Sequence, residues 1–167
     1  MKSKAEYRGH PIHPMLIGVP IGLWLASLVA DVAYMFTYEA FYFSAAQWTM
    51  GFGVLGALAA AIPGLMDYFG PVQRSAEARR TAFAHGGINL AVTMIYAVNW
   101  FFHANGANYG APLALAVALN VLGFGMVAVS GWLGGELVYR LGLGFDTRRV
   151  SITMLEDEEA RVPTETR

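Results

Sequence analysis

Residues 112–135 read PLALAVALNVLGFGMVAVSGWLGG, a run without a single charged side chain. A hydrocarbon core of about 30 Å needs about 20 apolar residues in helix, and this run is long enough to cross it. Three more stretches meet the same requirement, at 15–35, 47–66 and 83–102, and none contains Lys or Arg. The rest of the composition agrees. Of 167 residues, 56% are hydrophobic and 14% charged, against about 45–50% and about 25% in soluble domains. Mean hydropathy is +0.43. Too little polar residue is present to clothe a soluble fold, which argues against a water-soluble enzyme, a disordered segment or a nucleic-acid binder. The net charge of −1 offers no excess of basic surface to phosphates. With no cysteine, disulfides, iron–sulfur clusters and thiolate-bound metals are excluded.

The basic residues set an orientation. Lys2, Lys4 and Arg8 precede the first run, Arg74, Arg79 and Arg80 lie between the second and third, and Arg140, Arg148, Arg149, Arg161 and Arg167 follow the fourth. The loops at 36–46 and 103–111 have none. By the positive-inside bias, both termini are expected in the cytoplasm. Tyr38, Tyr42, Trp48, Trp100 and Tyr109 stand near the opposite span ends, as an aromatic belt would. The first run is too long for a signal-peptide core and lacks a small-x-small cleavage site, so it reads as a retained span.

Short loops predict an all-α, up-down-up-down integral membrane four-helix bundle. Residues 1–14 form a cytoplasmic N-terminal segment with a His-Pro clamp, 15–136 the four-helix domain, and 137–167 a polar cytoplasmic tail whose acidic run Glu156–Glu159 reads as solvated. Small residues at four-residue spacing predict close helix contact at Gly18/Gly22/Ala26, Gly56/Ala60/Gly64 and Gly131/Gly135. Pro20 and Pro63 are expected to kink their helices. Gly51-Phe-Gly53-Val-Leu-Gly56 matches a dinucleotide-binding pattern by letter, but it lies inside a span with no preceding strand, so these glycines read as packing residues.

The expected topology gathers polar residues at one membrane depth. The cytoplasmic span ends carry His10 and His13, Asp67, His85 and Glu136. His10 and His13 are three apart, on one face of a helix or a polyproline-type segment. Pro11 and Pro14 restrict them, and Pro14 suits a first helical position, which puts His13 near the N-cap. Three imidazoles and two carboxylates suit a transition-metal ion of the zinc, iron or manganese kind. His10, His13 and His85 are the nitrogen ligands of that reading, and Asp67 and Glu136 are oxygen ligands or groups that orient the imidazoles. The same histidines suit the axial positions of a b-type haem, which uses at most two of them. Against both stands the plain alternative that these groups cap helices and pair with Arg79, Arg80 or Arg140. His103 stands alone at the other end of span three and reads as interfacial. Asp31 is placed to face the bundle and bond Asn99 or Ser27, and is not assigned a function.

Gly9-His-Pro-Ile-His-Pro-Met-Leu-Ile-Gly-Val-Pro-Ile-Gly22, Gly64-Leu-Met-Asp-Tyr68, the features Arg79-Arg80 and Ala84-His85, and Gly131-Trp-Leu-Gly-Gly-Glu-Leu-Val-Tyr139 together resemble the bacterial DUF2231 family of small four-span membrane proteins. The likeness covers roughly residues 8–145. It implies the bundle, and it implies His10, His13, Asp67, His85 and Glu136 as motif positions, but no reaction. Some relatives carry a Rieske domain, which hints at electron transfer; this cysteine-free chain would need a bundle cofactor or a redox partner. The functional expectation is a lipid-embedded protein that binds a metal ion or haem, acting in electron transfer or metal handling, alone or as a homo-oligomer. The alternatives are a non-catalytic scaffold or assembly subunit, and a transporter or proton pathway formed by an oligomer.

Overall fold

A computed structural model describes residues 2–105 and 113–144. The chain opens with a small antiparallel hairpin, β1 (Glu6–Tyr7) and β2 (His10–Pro11), in the register Tyr7↔His10. Arg8 and Gly9 form its two-residue turn with φ of 50° and 84°. Positive φ at both central positions is what a tight hairpin turn demands, and Gly9 supplies one of them without steric cost. Then come α1 (Ile12–Leu16), α2 (Gly18–Thr37), α3 (Ala40–Tyr68), a 3-10 turn (Pro71–Arg74), α4 (Ala76–Ala104), α5 (Leu113–Gly135) and a π turn (Glu136–Arg140).

Four helical stretches, 12–37, 40–74, 76–104 and 113–140, are long and apolar enough to cross a membrane. They contain the expected runs, apart from Pro112, which lies outside the described residues, and the second and third extend well beyond them. The second begins at Ala40 rather than near Gln47, and the third at Ala76 rather than near Phe83. Hydropathy finds the apolar core of a span, but a helix can continue past it. At α4 the Ser75 hydroxyl accepts the Ala78 N–H at 3.2 Å, which satisfies one free donor of the first turn.

The two prolines behave differently. Pro20 has no N–H for the Leu16 carbonyl, and the first span is divided at Ile17 into α1 and α2. Helix α3 runs through Pro63 without interruption. Pro14 is the third residue of α1, not its first. The N–H groups of a helix's first turn have no intrahelical partner, so a proline costs no hydrogen bond there either.

Contacts between neighbouring helices run in opposite sequence order. Gly53, Gly56 and Gly64 of α3 face Trp24, Val19 with Pro20, and His13 in turn. Gly123 and Gly134 of α5 face Tyr96 and His85 of α4. The fingerprint-like glycines are therefore packing residues, with Gly51 seated on Trp100. Of the three small-residue stripes, Gly56/Ala60/Gly64 lies at a contact. A Cβ on Gly18, Gly22 or Gly131 would meet nothing within 4 Å, so those glycines point away from the bundle. Gly134, next to the last stripe, makes the contact instead.

The apolar core is centred on Trp24 and Tyr96, stacked with centroids 4.4 Å apart and planes at 2°, together with Met50 and Val92. A Cβ at Gly53 would collide with the Trp24 ring, and one at Gly123 would lie 2.7 Å from Tyr96 Cε2. Glycine is what lets the two aromatic rings fit between helices. Meanwhile Phe52, Leu55, Leu58, Ile62, Leu90, Met94, Leu122 and Trp132 are exposed. A buried polar interior under an apolar exterior is the arrangement a bilayer selects.

Candidate functional site

Two polar layers cross the bundle, one on each side of the Trp24–Tyr96 stack. The first lies at the end that carries the N-terminal hairpin. His13 of α1 and His85 of α4 stand edge to face, ring centroids 6.2 Å apart and planes at 88°. His13 Nδ1 is 2.8 Å from the Ala60 carbonyl of α3, and His85 Nδ1 is 2.9 Å from the Ser130 carbonyl of α5. A carbonyl oxygen only accepts, so both Nδ1 atoms carry the hydrogen and both Nε2 atoms present a lone pair. His85 Nε2 accepts from the Asn89 amide at 3.0 Å, and the Ser130 hydroxyl donates to Asn89 Oδ1 at 2.9 Å. His13 Nε2 has no partner among the described residues. Gly64 and Gly134 bring helix backbone against the two rings, where a Cβ would sit 3.0 Å and 3.2 Å away.

Every span thus contributes to this layer, but not as expected. Two supply imidazoles, and the other two supply the carbonyls that orient them. Such an Nδ1–H bond to main chain is the usual outer support of an imidazole that acts through Nε2.

The other three expected ligands are elsewhere. His10 is exposed on β2, with its Nδ1 3.2 Å from the Arg8 carbonyl. The chain changes from strand to helix between His10 and His13, so the three-residue spacing does not put them on one face. Asp67 is 7% exposed and ties the N-terminal segment down. It accepts from the Ser3 hydroxyl (2.7 Å), the Lys4 N–H (2.6 Å) and the Ala5 N–H (3.3 Å). Glu136 pairs with Arg140, which also reaches Glu77 at 2.7 Å. These partners are exposed, so solvent screens the network. It fulfils the structural alternative for Glu136. Among the described residues, no three His, Asp or Glu side chains are grouped to hold a metal ion.

The second layer lies at the far end. His103 is not alone: it is 4% exposed, and its Nε2 is 2.9 Å from Asp31 Oδ1. Asp31 bonds Asn120 rather than Asn99 or Ser27; Asn120 Nδ2 donates to Oδ2 at 2.6 Å, and Ser27 donates to Asn120 Oδ1 at 2.9 Å. The Asn99 amide donates to the Ala116 carbonyl at 3.0 Å. A signal for both layers exists in the sequence. Asn89 and Asn99 on one span, and Asn120 and Ser130 on the next, are each ten residues apart, about 15 Å in helix. Oppositely directed neighbours with that spacing meet twice. Arg148, Arg149, Tyr109 and the acidic run Glu156–Glu159 lie outside the described residues.

Comparison with known proteins gives one match. No curated protein and no solved structure is similar enough to count. Residues 9–147 match the family described as predicted membrane protein (DUF2231), a span that takes in all five expected site residues and both polar layers. The chain is a membrane protein with four apolar spanning helices, and it belongs to the DUF2231 family.

Proposed function

We propose that the chain binds a cation between His13 and His85, in service of metal handling or electron transfer. One observation carries this reading: two imidazoles from separate spans have their Nδ1–H groups fixed on main-chain carbonyls, with the His13 Nε2 lone pair unpartnered among the described residues and the His85 Nε2 lone pair held by the Asn89 amide, which an ion would displace. The donor set narrows from five residues to two. A transition-metal ion (Zn, Fe or Mn) would take His13 and His85 as protein ligands and complete its coordination from outside the chain. A b-type haem also needs only two imidazoles, but the backbones at Gly64 and Gly134 touch these rings and would have to part for a macrocycle. That favours the bare ion. When bound, the ion would supply Lewis acidity or an electron-carrying centre. The residues themselves orient the donors, keep both tautomers fixed and leave the site half-buried among four spans.

Purification of the full chain in mild detergent, with an absorption spectrum and elemental analysis of one sample, tests this. Stoichiometric zinc, iron or manganese without a Soret band supports the ion, and a Soret band selects haem. Neither, in a sample also unable to take up added metal, favours the scaffold. The outward-facing Gly18 and Gly22 are where such a scaffold, or a homo-oligomer, would receive another span.

For orientation we propose an up-down-up-down bundle in the cytoplasmic membrane with both termini inside, on the distribution of the 11 Lys and Arg residues. Single cysteines at Glu39 and Gln73, both exposed, should then label from opposite faces, Glu39 from outside. Labelling of Gln73 from outside would reverse the orientation.

A further inference from the structure

The far-end layer is the most deeply buried polar cluster of the bundle, and the cation pair makes no use of it. Asp31, Ser27, Asn99 and Asn120 are all 0% exposed. Both nitrogens of His103 face oxygen: Nδ1 is 3.0 Å from the Asn99 carbonyl, and Nε2 is 2.9 Å from Asp31 Oδ1. The carbonyl can only accept, so Nδ1 carries its hydrogen. The contact between Nε2 and the carboxyl oxygen is then a hydrogen bond only if a proton lies within it. A carboxylate and a neutral imidazole together hold one proton too few. The arrangement therefore contains one more, drawn on nitrogen or on oxygen with the same count, and the pair is neutral as a whole.

Loss of that proton leaves one negative charge among groups that do not compensate it. Facing the pair are Phe43 from α3, Asn99 from α4 and Asn120 from α5, and Asn120 is bonded in turn by Ser27 from α2 and Tyr96 from α4. None of these is cationic. Two further features bear on how water would reach the pair. Among the described residues Asn99 Oδ1 is buried without a hydrogen-bond partner, and a buried acceptor of this kind is ordinarily satisfied by a bound water. And the imidazole is closed off by aromatic side chains near the end of α4: Phe43 stacks on it at 4.9 Å, and Tyr34 packs on Phe43 at 5.3 Å.

We propose that Asp31 and His103 form a proton-exchange site within the membrane, whose ligand is a proton delivered by water at the far end of the bundle. In the release step, the proton between Nε2 and Oδ1 passes to a water that enters the layer. That leaves neutral imidazole, carboxylate and hydronium, and uptake is the reverse. Phe43 and Tyr34 must move for water to enter. The site is independent of the His13–His85 reading, since it lies in the other layer and needs no metal.

The test is nitrogen NMR of the full chain, with labelled histidine, in lipid bilayers at neutral pH. The proposal expects His103 to show Nδ1–H together with a proton-bearing Nε2 contact. In Asp31→Asn, the ring should become an ordinary neutral imidazole with a bare Nε2. In Phe43→Ala, exchange of that proton with solvent deuterium should be severalfold faster than in the wild type. A wild-type Nε2 that neither carries a proton nor accepts one from Asp31 overturns the proton count, and this needs no variant to fold. A proton that is present but exchanges at the same rate with and without the Phe43 ring shows a static structural pair and overturns the exchange site.

Discussion

His103→Ala should lower stability more than any other single histidine replacement in the chain. Removing one partner of a buried pair leaves the other without its hydrogen bond in a low-dielectric interior, at a cost of about 3–5 kcal/mol. For a chain of this length that corresponds to a fall in the thermal midpoint on the order of 10 °C. Asp31→Ala should cost a similar amount. The double replacement should cost clearly less than the sum, because contacting partners are coupled by about 0.5–3 kcal/mol. Thermal unfolding of the four proteins in one detergent completes the cycle. A His103→Ala midpoint equal to the wild type would mean that His103 lies at the surface of the bundle and that the far-end layer is misassigned. His10→Ala is the natural comparison, since that ring is exposed and bonded only to its own turn.

The second large effect belongs to the near layer. A ligand that binds only the folded chain stabilises it by about 2.7 kcal/mol at a hundredfold excess over its dissociation constant. Chelation of metal-loaded protein should therefore lower the thermal midpoint, and His13→Ala or His85→Ala should each remove that sensitivity. Protons compete for the same Nε2 lone pairs, so the chelator-sensitive part of the stability should also shrink as pH falls. His10→Ala should behave as the wild type does, because β2 carries His10 away from the layer. Equal chelator shifts in His13→Ala, His85→Ala and wild-type protein would show that neither imidazole holds the ion.

These two layers also mark how far the sequence could be read. The bundle was legible because each span is an uninterrupted apolar run, and hydropathy responds to nothing else. His13 and His85 were legible because topology brings the ends of spans one and three to one depth. His10 was misplaced because Arg8-Gly9 makes a tight turn, which converts the His-Pro clamp from one face into a strand followed by a helix. Asp67 was misplaced because its partners are the Ser3 hydroxyl and the backbone N–H groups of residues 4 and 5, and backbone donors leave no mark in a search for side chains. His103 shows the converse. It looked solitary because its partner is 72 positions away on another span, and only the ten-residue spacing of the Asn and Ser residues hinted that a layer exists there. Long-range pairing inside a bundle depends on helix rotation about its axis, which a nearly uniform apolar pattern does not encode.

The central claim is that one cation is held by His13 and His85 together, without His10, Asp67 or Glu136. Titration of metal-free protein with zinc or manganese, counting bound ions per chain, measures this directly. The account predicts one ion per chain for the wild type and for His10→Ala and Glu136→Gln, and none for His13→Ala or His85→Ala. Full binding by either of the last two variants, or its loss in His10→Ala, would contradict it.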